Sequence, residues 1–195
     1  MRPVALFLFL VAMGQAATRN VTVLVNFNKP HSDVSVAALR QELRALLEPS
    51  GIAVDVMLKS EMPVSPQFSE LVVFEMKGTC SMNVAPVLMS RASDEREPLG
   101  LAYASNGEIL HFGEVECDRV RRCLQRVTRG GHPEQHQAQY GAALGIVVAH
   151  EMYHMMAGAK EHTRNGLTKE SLSARELLDG ELSIPRTVRA ALRRE

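Results

Sequence analysis

The residues with the clearest chemical potential lie in the stretch VVAHEMYHMMAGAKEH, from Val147 to His162. Within it, His150, Glu151 and His154 form a His-Glu-x-x-His pattern. Residues four apart lie on one face of a helix, so both imidazoles can reach one zinc ion about 2 Å from each ring nitrogen. The Glu151 carboxylate would then stand where it can take a proton from an activated water molecule. The pattern therefore indicates zinc-dependent hydrolysis.

A catalytic zinc usually has three protein ligands and one open position, so a third ligand must come from elsewhere. Gly158 suits the left-handed turn that ends a helix, and the chain beyond it can return His162 towards the metal. Gly166 suits another tight turn further on. We predict His162 as the third ligand, because these glycines explain how the chain reverses. The alternative is a carboxylate from the next helical segment, with the candidates Glu170, Glu176 and Asp179.

Three other histidines are weaker candidates for metal ligands. His132 and His136 are also four apart, but Pro133 lies between them at the entrance of a predicted helix. We expect both side chains to be exposed to solvent. His111 alternates with apolar neighbours, which predicts a packed residue in a strand rather than a ligand.

The motif needs a rigid element to carry it. The stretch QAQYGAALGIVVAHEMYHMMA contains no proline and has an apolar stripe, which predicts a helix from about His136 to Ala157 despite its two glycines. Upstream, a helix capped by Ser32 or Asp33 is predicted to end at the sequence EPSG. Three apolar segments are predicted strands: Asn20–Phe27, Ile52–Leu58 and Glu70–Gly78.

The centre of the chain predicts a hairpin followed by a helix. GLAYAS and EILHFGEVECDRV have the composition of strands, and the dipeptide NG between them favours a tight turn. The stretch RRCLQRV that follows has a helical pattern. Strands interleaved with helices predict an α/β or α+β domain in which a mixed sheet packs on helices, including the motif helix.

Composition and charge limit the partners. The chain has 195 residues, of which 46% are hydrophobic, and it has 22 basic and 22 acidic side chains. This balance gives no electrostatic reason to expect binding to nucleic acid or to a membrane surface. The length suits one globular domain, predicted at 18–195. No sequence feature fixes the oligomeric state.

The first residues have the order of a signal peptide. MRPVALFLFLVAMGQAA combines one positive charge, an apolar run and small residues, and the run is short for a membrane span. We predict a signal peptide at 1–17 and a secreted or periplasmic chain with no membrane segment after its removal; a retained anchor is the alternative. In an oxidising compartment, the three cysteines predict one disulfide and one free thiol, although their spacing does not fix the pairing.

The motif resembles that of the metzincin clan of zinc peptidases, in which the helix ends at a glycine and a third histidine follows shortly. This chain has three residues on each side of Gly158 where the usual clan pattern has two. In this spacing it resembles small secreted bacterial proteins that read HEIGHLLLG, three residues, His and then GIM. The likeness extends to GTCS, to PLGLAYASNGEILHFGEVECDRV and to the first strand, and therefore covers most of the chain after the leader.

The resemblance implies a zincin-like fold whose sheet has an antiparallel edge strand along the cleft. GLAYAS would be that strand, with Leu101, Ala102 and Tyr103 beside an extended substrate, although an interior hairpin strand remains the alternative. The resemblance also implies a disulfide between Cys80 and Cys117, which leaves Cys123 free.

Two departures from the clan bear on activity. Where the relatives have a methionine in a turn beneath the metal, this chain has Leu167, which would supply an apolar floor. In addition, no tyrosine follows the motif. The resemblance implies a zinc metallopeptidase acting on a peptide or protein substrate. The alternatives are a zinc-binding interaction protein without turnover on the same scaffold, and a zinc amidase.

Overall fold

The structure of the chain is a computed structural model that describes residues 19–82, 97–128, 130–180 and 182–192. The predicted signal peptide at 1–17 lies outside the described residues. None of the helices in the described ranges is both long enough and apolar enough to cross a membrane.

Within the described ranges, one five-stranded sheet forms the frame, with the strand order β2-β1-β3-β5-β4. Neighbouring strands are parallel except for β4, which pairs antiparallel with β5 and forms one edge of the sheet. The predicted mixed sheet with an antiparallel edge strand is therefore confirmed. The strands are β1 (Arg19–Phe27), β2 (Ile52–Leu58), β3 (Leu71–Lys77), β4 (Gly100–Ser105) and β5 (Glu108–Glu116).

The strands show the expected alternation of buried and partly exposed side chains. In β3, Val72, Phe74 and Met76 have no exposed surface, whereas their neighbours are partly exposed. Successive side chains in a strand point to opposite faces, so β3 turns one apolar face towards the helices. The dipeptide Asn106-Gly107 makes the predicted hairpin turn between β4 and β5, and both residues have positive φ angles.

The described residues form five α-helices, and the two longest, α1 and α3, lie against each other. Ser32 is the N-cap of α1, where its side chain accepts a hydrogen bond from the backbone of Ser35. This settles the choice that the sequence left between two capping residues. The helices are α1 (Asp33–Leu47), α2 (Cys117–Gln125), α3 (Pro133–Ala157), α4 (Ala174–Asp179) and α5 (Arg186–Leu192).

The two glycines of α3 have a packing role. A Cβ atom at Gly141 would lie 2.1 Å from the backbone oxygen of Ser35, and one at Gly145 would lie 3.0 Å from that of Leu39. Both glycines therefore let the backbones of α1 and α3 approach closely. The Ser35 hydroxyl adds a hydrogen bond of 3.0 Å to the backbone oxygen of Gln137. The close packing of α1 against α3 fixes the position of α3 and therefore that of the histidine motif it carries.

We expect Gly141→Ala to destabilise the protein by about 2 kcal/mol or more. Alanine favours a helix over glycine by about 1 kcal/mol, but the added methyl group would collide with backbone, and overpacking costs about 1–3 kcal/mol or more. Thermal unfolding followed by circular dichroism would show a lower midpoint. Gly145→Ala is the graded control, because its methyl group meets its neighbours at a larger distance and should cost less. An unchanged or raised midpoint for Gly141→Ala would contradict this packing.

A disulfide joins Cys80, just after β3, to Cys117, the first residue of α2. Their Cα atoms are 5.0 Å apart, and both side chains are fully buried. Cys123 is not in a disulfide. The pairing agrees with the one that the resemblance implies, and it fixes the start of α2 against the sheet.

Candidate metal centre

Helix α3 carries the motif on a buried face. His150, Glu151 and His154 have only 9%, 7% and 8% of their surface exposed. The apolar residues that precede them in the helix, Leu144–Ala149, are buried as well. The second half of α3 therefore runs through the core, and its polar side chains line a recess in the protein rather than an open surface.

The chain reverses after α3 as the sequence predicts. Gly158 is the C-cap residue and has a left-handed conformation, with φ 58°, which glycine adopts without a steric penalty. The Tyr153 hydroxyl then donates a hydrogen bond of 2.9 Å to the backbone oxygen of Glu161. This bond fixes the residue directly before His162 and so directs the returning segment back over the helix.

Three imidazole nitrogens converge as a result. The Nε2 atom of His154 lies 3.2 Å from the Nε2 atom of His150 and 3.2 Å from that of His162. Ligands of a tetrahedral zinc ion at about 2.05 Å would be about 3.3 Å apart, so these two separations suit a zinc ion. The ligand atoms of all three rings lie within 4.8 Å of one another. Among the described residues, these three histidines form the group that could hold a metal ion.

Hydrogen bonds set the protonation of two of these rings. The Nδ1–H group of His150 donates to the backbone oxygen of Leu167 at 2.8 Å, and that of His154 donates to the backbone oxygen of Ala159 at 2.6 Å. Each ring therefore keeps its Nε2 lone pair for a metal, an arrangement common among zinc sites. Burial lowers the pKa of His150 to about 4 and also lowers the pKa of His154. Both shifts favour the neutral form of the ring, which is the form that binds a metal.

Glu151 lies in a site that favours proton transfer. Burial raises the pKa of its carboxyl group to about 7, and a hydrogen bond from the backbone N–H of Ala102 partly opposes that rise. A carboxyl group with a pKa near neutrality can both accept and return a proton. The bond to Ala102 also connects α3 to the edge strand β4.

A cleft of about 1170 Å³ opens in front of the three histidines and Glu151. One wall is the edge strand β4 together with the residues before it, and the other wall is the segment 169–174. Leu101 and Ala102, two of the residues predicted to lie beside a substrate, line this cleft. Tyr103 does not line it, because its ring packs against Phe112 with the ring centres 5.2 Å apart. Tyr103 lies in the same edge strand, so its place beside an extended substrate stays a prediction.

The turn after the third histidine supports His150. Gly166 has a positive φ of 79°, and the backbone N–H of Leu167 donates to the backbone oxygen of Ser183 at 3.1 Å. The Leu167 side chain is fully buried in the core. Its backbone oxygen contacts the metal centre by accepting the hydrogen bond from His150.

The carboxylates considered as alternative ligands lie elsewhere or have other partners. Glu176 accepts two hydrogen bonds of 2.6 Å from Lys169 and caps α4. Asp179 is exposed at the end of α4. Glu170 lines the cleft and is exposed, but the cluster that could hold a metal consists of histidines.

The other histidines lie outside the cluster. His132 is exposed, as expected, whereas His136 is partly buried and contacts the backbone oxygen of Gly130, so the expectation of full exposure is wrong for His136. The prediction that His111 is a packed strand residue is wrong. His111 does lie in β5, but it is exposed, because the buried part of that strand begins at Gly113.

Three supporting groups were not foreseen from the sequence: the backbone oxygens of Ala159 and Leu167 and the hydroxyl of Tyr153. Every residue has a backbone oxygen, so the type of a residue does not show that its oxygen will support a ligand. Tyr153 did offer a signal, because a tyrosine inside a buried helix needs a partner for its hydroxyl group.

Comparison with known proteins agrees with this architecture. No protein-family model and no curated protein sequence matches the chain. Among solved structures, the chain is similar to the crystal structure of archaemetzincin from Methanopyrus kandleri, with a TM-score of 0.52 and 14% sequence identity. The match covers 94% of this chain and 97% of that chain. At this identity the likeness concerns the fold alone, and it confirms the predicted zincin-like α+β fold.

Proposed function

We propose that the protein is a zinc-dependent hydrolase that cleaves peptide bonds. The observation that carries the proposal is the convergence of three Nε2 atoms, with that of His154 3.2 Å from those of His150 and His162. A buried carboxyl group, that of Glu151, follows the first of these histidines in the same cleft. These four residues are the types that zinc peptidases of the His-Glu-x-x-His class require.

The chemistry divides between the ion and the chain. Zinc bound by the three histidines would polarise a substrate carbonyl and lower the pKa of a coordinated water molecule. Glu151 accepts a proton from the attacking water at its carboxylate and returns it to the leaving nitrogen. The pKa of about 7 in its buried position suits both transfers. The backbone N–H of Ala102 holds the carboxylate in place.

An extended peptide suits the geometry of the cleft. The backbone N–H of Ala102 bonds to Glu151 and therefore points away from β5. Backbone groups alternate along an edge strand, so Gly100 and Ala102 both direct theirs towards the cleft. A peptide could add to β4 as a further strand, with its scissile bond near the histidines. The backbone of β4, rather than the side chain of Tyr103, would thus provide the main substrate contacts.

We also propose that the chain acts outside the cytoplasm, as a catalytic domain spanning 18–195 that follows a signal peptide. The leader-like composition of the first residues supports this part of the proposal. The disulfide between Cys80 and Cys117 supports it independently, because such bonds persist mainly in oxidising compartments.

A second candidate is a zinc-binding protein without turnover. It is favoured by the absence of any tyrosine after His162 that could stabilise the charge on the substrate oxygen. A zinc amidase is a third form of the same chemistry, and a substrate profile would separate it from a peptidase.

We expect the purified protein to contain stoichiometric zinc and to cleave a mixed peptide library. Treatment with 1,10-phenanthroline should abolish cleavage, and added zinc should restore it. Elemental analysis and mass spectrometry of the products are the measurements, and the same library without enzyme is the control. Bound zinc without cleavage would favour the second candidate. A protein that binds no zinc would overturn the proposal.

A further inference from the structure

We propose that one end of the cleft is a subsite for a carboxylate of the peptide substrate, and that Arg122 is its main contact. The inference rests on the proposed function for the identity of the ligand as a peptide. The subsite itself rests on separate observations, which concern helix α2 and the charges around the cleft.

Helix α2 presents an arginine face to the cleft. Arg119 and Arg122 lie on the helix, Arg126 is its C-cap residue, and all three line the cleft. Their spacing of three and four residues places them on one side of the helix. The opposite side is apolar or buried, with Val120, Arg121 and Leu124 in the interior. The disulfide at Cys117 ties this helix to the sheet and so fixes the direction of the arginine face.

The contacts of Arg119 place α2 at one end of the cleft. Its guanidinium group bonds to the backbone oxygen of Pro98 at 2.9 Å and pairs with Glu97 at 2.8 Å. Both partners come directly before β4, so α2 lies beside the start of the edge strand. The helix also contacts α4, which follows the opposite wall. It therefore spans the cleft from one wall to the other.

Arg122 is the cation that remains available in this group. It is half-buried, and among the described residues it has neither an ion pair nor a hydrogen bond. By contrast, Arg119 forms an ion pair with Glu97, and Lys169 on the opposite wall forms one with Glu176. A half-buried guanidinium without a partner attracts an anion from solution or from a ligand.

The charge of the cleft is positive although that of the whole chain is zero. Apart from Glu151, the described residues that line it include more cations than carboxylates. The cations are Arg119, Arg122, Arg126, Lys160 and Lys169, and the carboxylates are Glu97 and Glu170. The field in the cleft therefore favours anionic ligands, and the planar fork of a guanidinium group matches a carboxylate.

The carboxylate has two sources in a peptide: an acidic side chain and the free C-terminus. The probes are fluorescein-labelled alanine-based hexapeptides in which each position in turn is Glu or Gln, made with a free or an amidated C-terminus. Their binding to the zinc-loaded Glu151→Gln variant is measured by fluorescence anisotropy. This variant prevents cleavage, so the measurement does not depend on turnover.

We expect the Glu peptide to bind about 5- to 10-fold more tightly than its Gln partner at one position, or the free C-terminus to bind more tightly than the amide by a similar factor. The preference should decrease when salt is raised from about 50 to about 500 mM. Adding Arg122→Gln should reduce the ratio to about one, and adding Arg122→Glu should reverse it, so that the Gln peptide binds more tightly than its Glu partner. Arg186→Gln is the matched control, because it removes one exposed cation on α5, outside the cleft.

The outcomes separate the two proposals. Equal binding of the paired peptides, or a preference that survives Arg122→Gln, would overturn the carboxylate subsite whether or not the enzyme cleaves peptides. A preference that Arg122→Gln removes would support the subsite even if the wild-type protein cleaved no peptide, in which case only the hydrolase proposal would fail.

Discussion

Replacing Glu151 with glutamine is expected to reduce kcat for peptide cleavage by about 10³-fold, since general acid–base catalysis contributes about 10²- to 10⁴-fold. Glutamine has nearly the same shape but can neither accept nor return a proton. The three histidines remain, so zinc content measured by elemental analysis should not change. The loss in kcat without a loss of metal is the result that identifies a proton-transfer role.

Glu134→Gln is the matched control for this substitution, because it makes the same change in the first turn of the same helix, where the side chain is exposed. It should retain full activity. A Glu151→Gln protein that cleaves peptides at the wild-type rate would rule out the proposed mechanism. A protein that has lost its zinc would show that Glu151 supports the metal site and would leave its proton-transfer role without support.

The second large effect is expected for His162→Ala, which should weaken zinc binding by about 10³-fold or more, because each ligand contributes several kcal/mol to a structural or catalytic zinc site. His162 is exposed, so its removal should leave the fold intact. Competition with a zinc-binding dye gives the affinity. Thermal unfolding with added zinc provides a second reading, since the stabilisation of the folded state depends on the affinity.

Two controls make this result specific. His111→Ala removes an exposed histidine from β5 and should not change the affinity. Glu170→Gln removes the exposed carboxylate of the cleft that the sequence offered as an alternative ligand. If Glu170→Gln weakens zinc binding while His162→Ala does not, the third ligand is the carboxylate and the proposed ligand set is wrong.

Much of the frame was predictable because its signals are periodic and local. The strand Ile52–Leu58 was predicted with the bounds that the structure has. The motif helix was predicted to its last residue, Ala157, because Gly158 marks its end. Its start was placed too late, at about His136, because α3 begins at Pro133, and a proline is well tolerated in the first turn of a helix.

The errors and omissions concern relations between distant segments. His111 was predicted to be packed because alternation indicates a strand but does not say how far the helices cover it. The two glycines of α3 were treated as a weakness of the helix, whereas Gly141 meets the backbone of Ser35, more than a hundred residues earlier. The arginines of α2 were visible in the sequence, but their common direction depends on where Cys117 fixes the helix.

The support of His150 by the backbone of Leu167 has a consequence for how such sites vary between proteins. The hydrogen bond uses an oxygen that every amino acid carries, so any side chain of suitable bulk at that position preserves the ring orientation. The constraint falls instead on the path of the chain, which Gly166 allows through its positive φ angle. The side chain at position 167 can therefore vary, whereas the shape of the turn has to be kept if His150 is to hold its orientation.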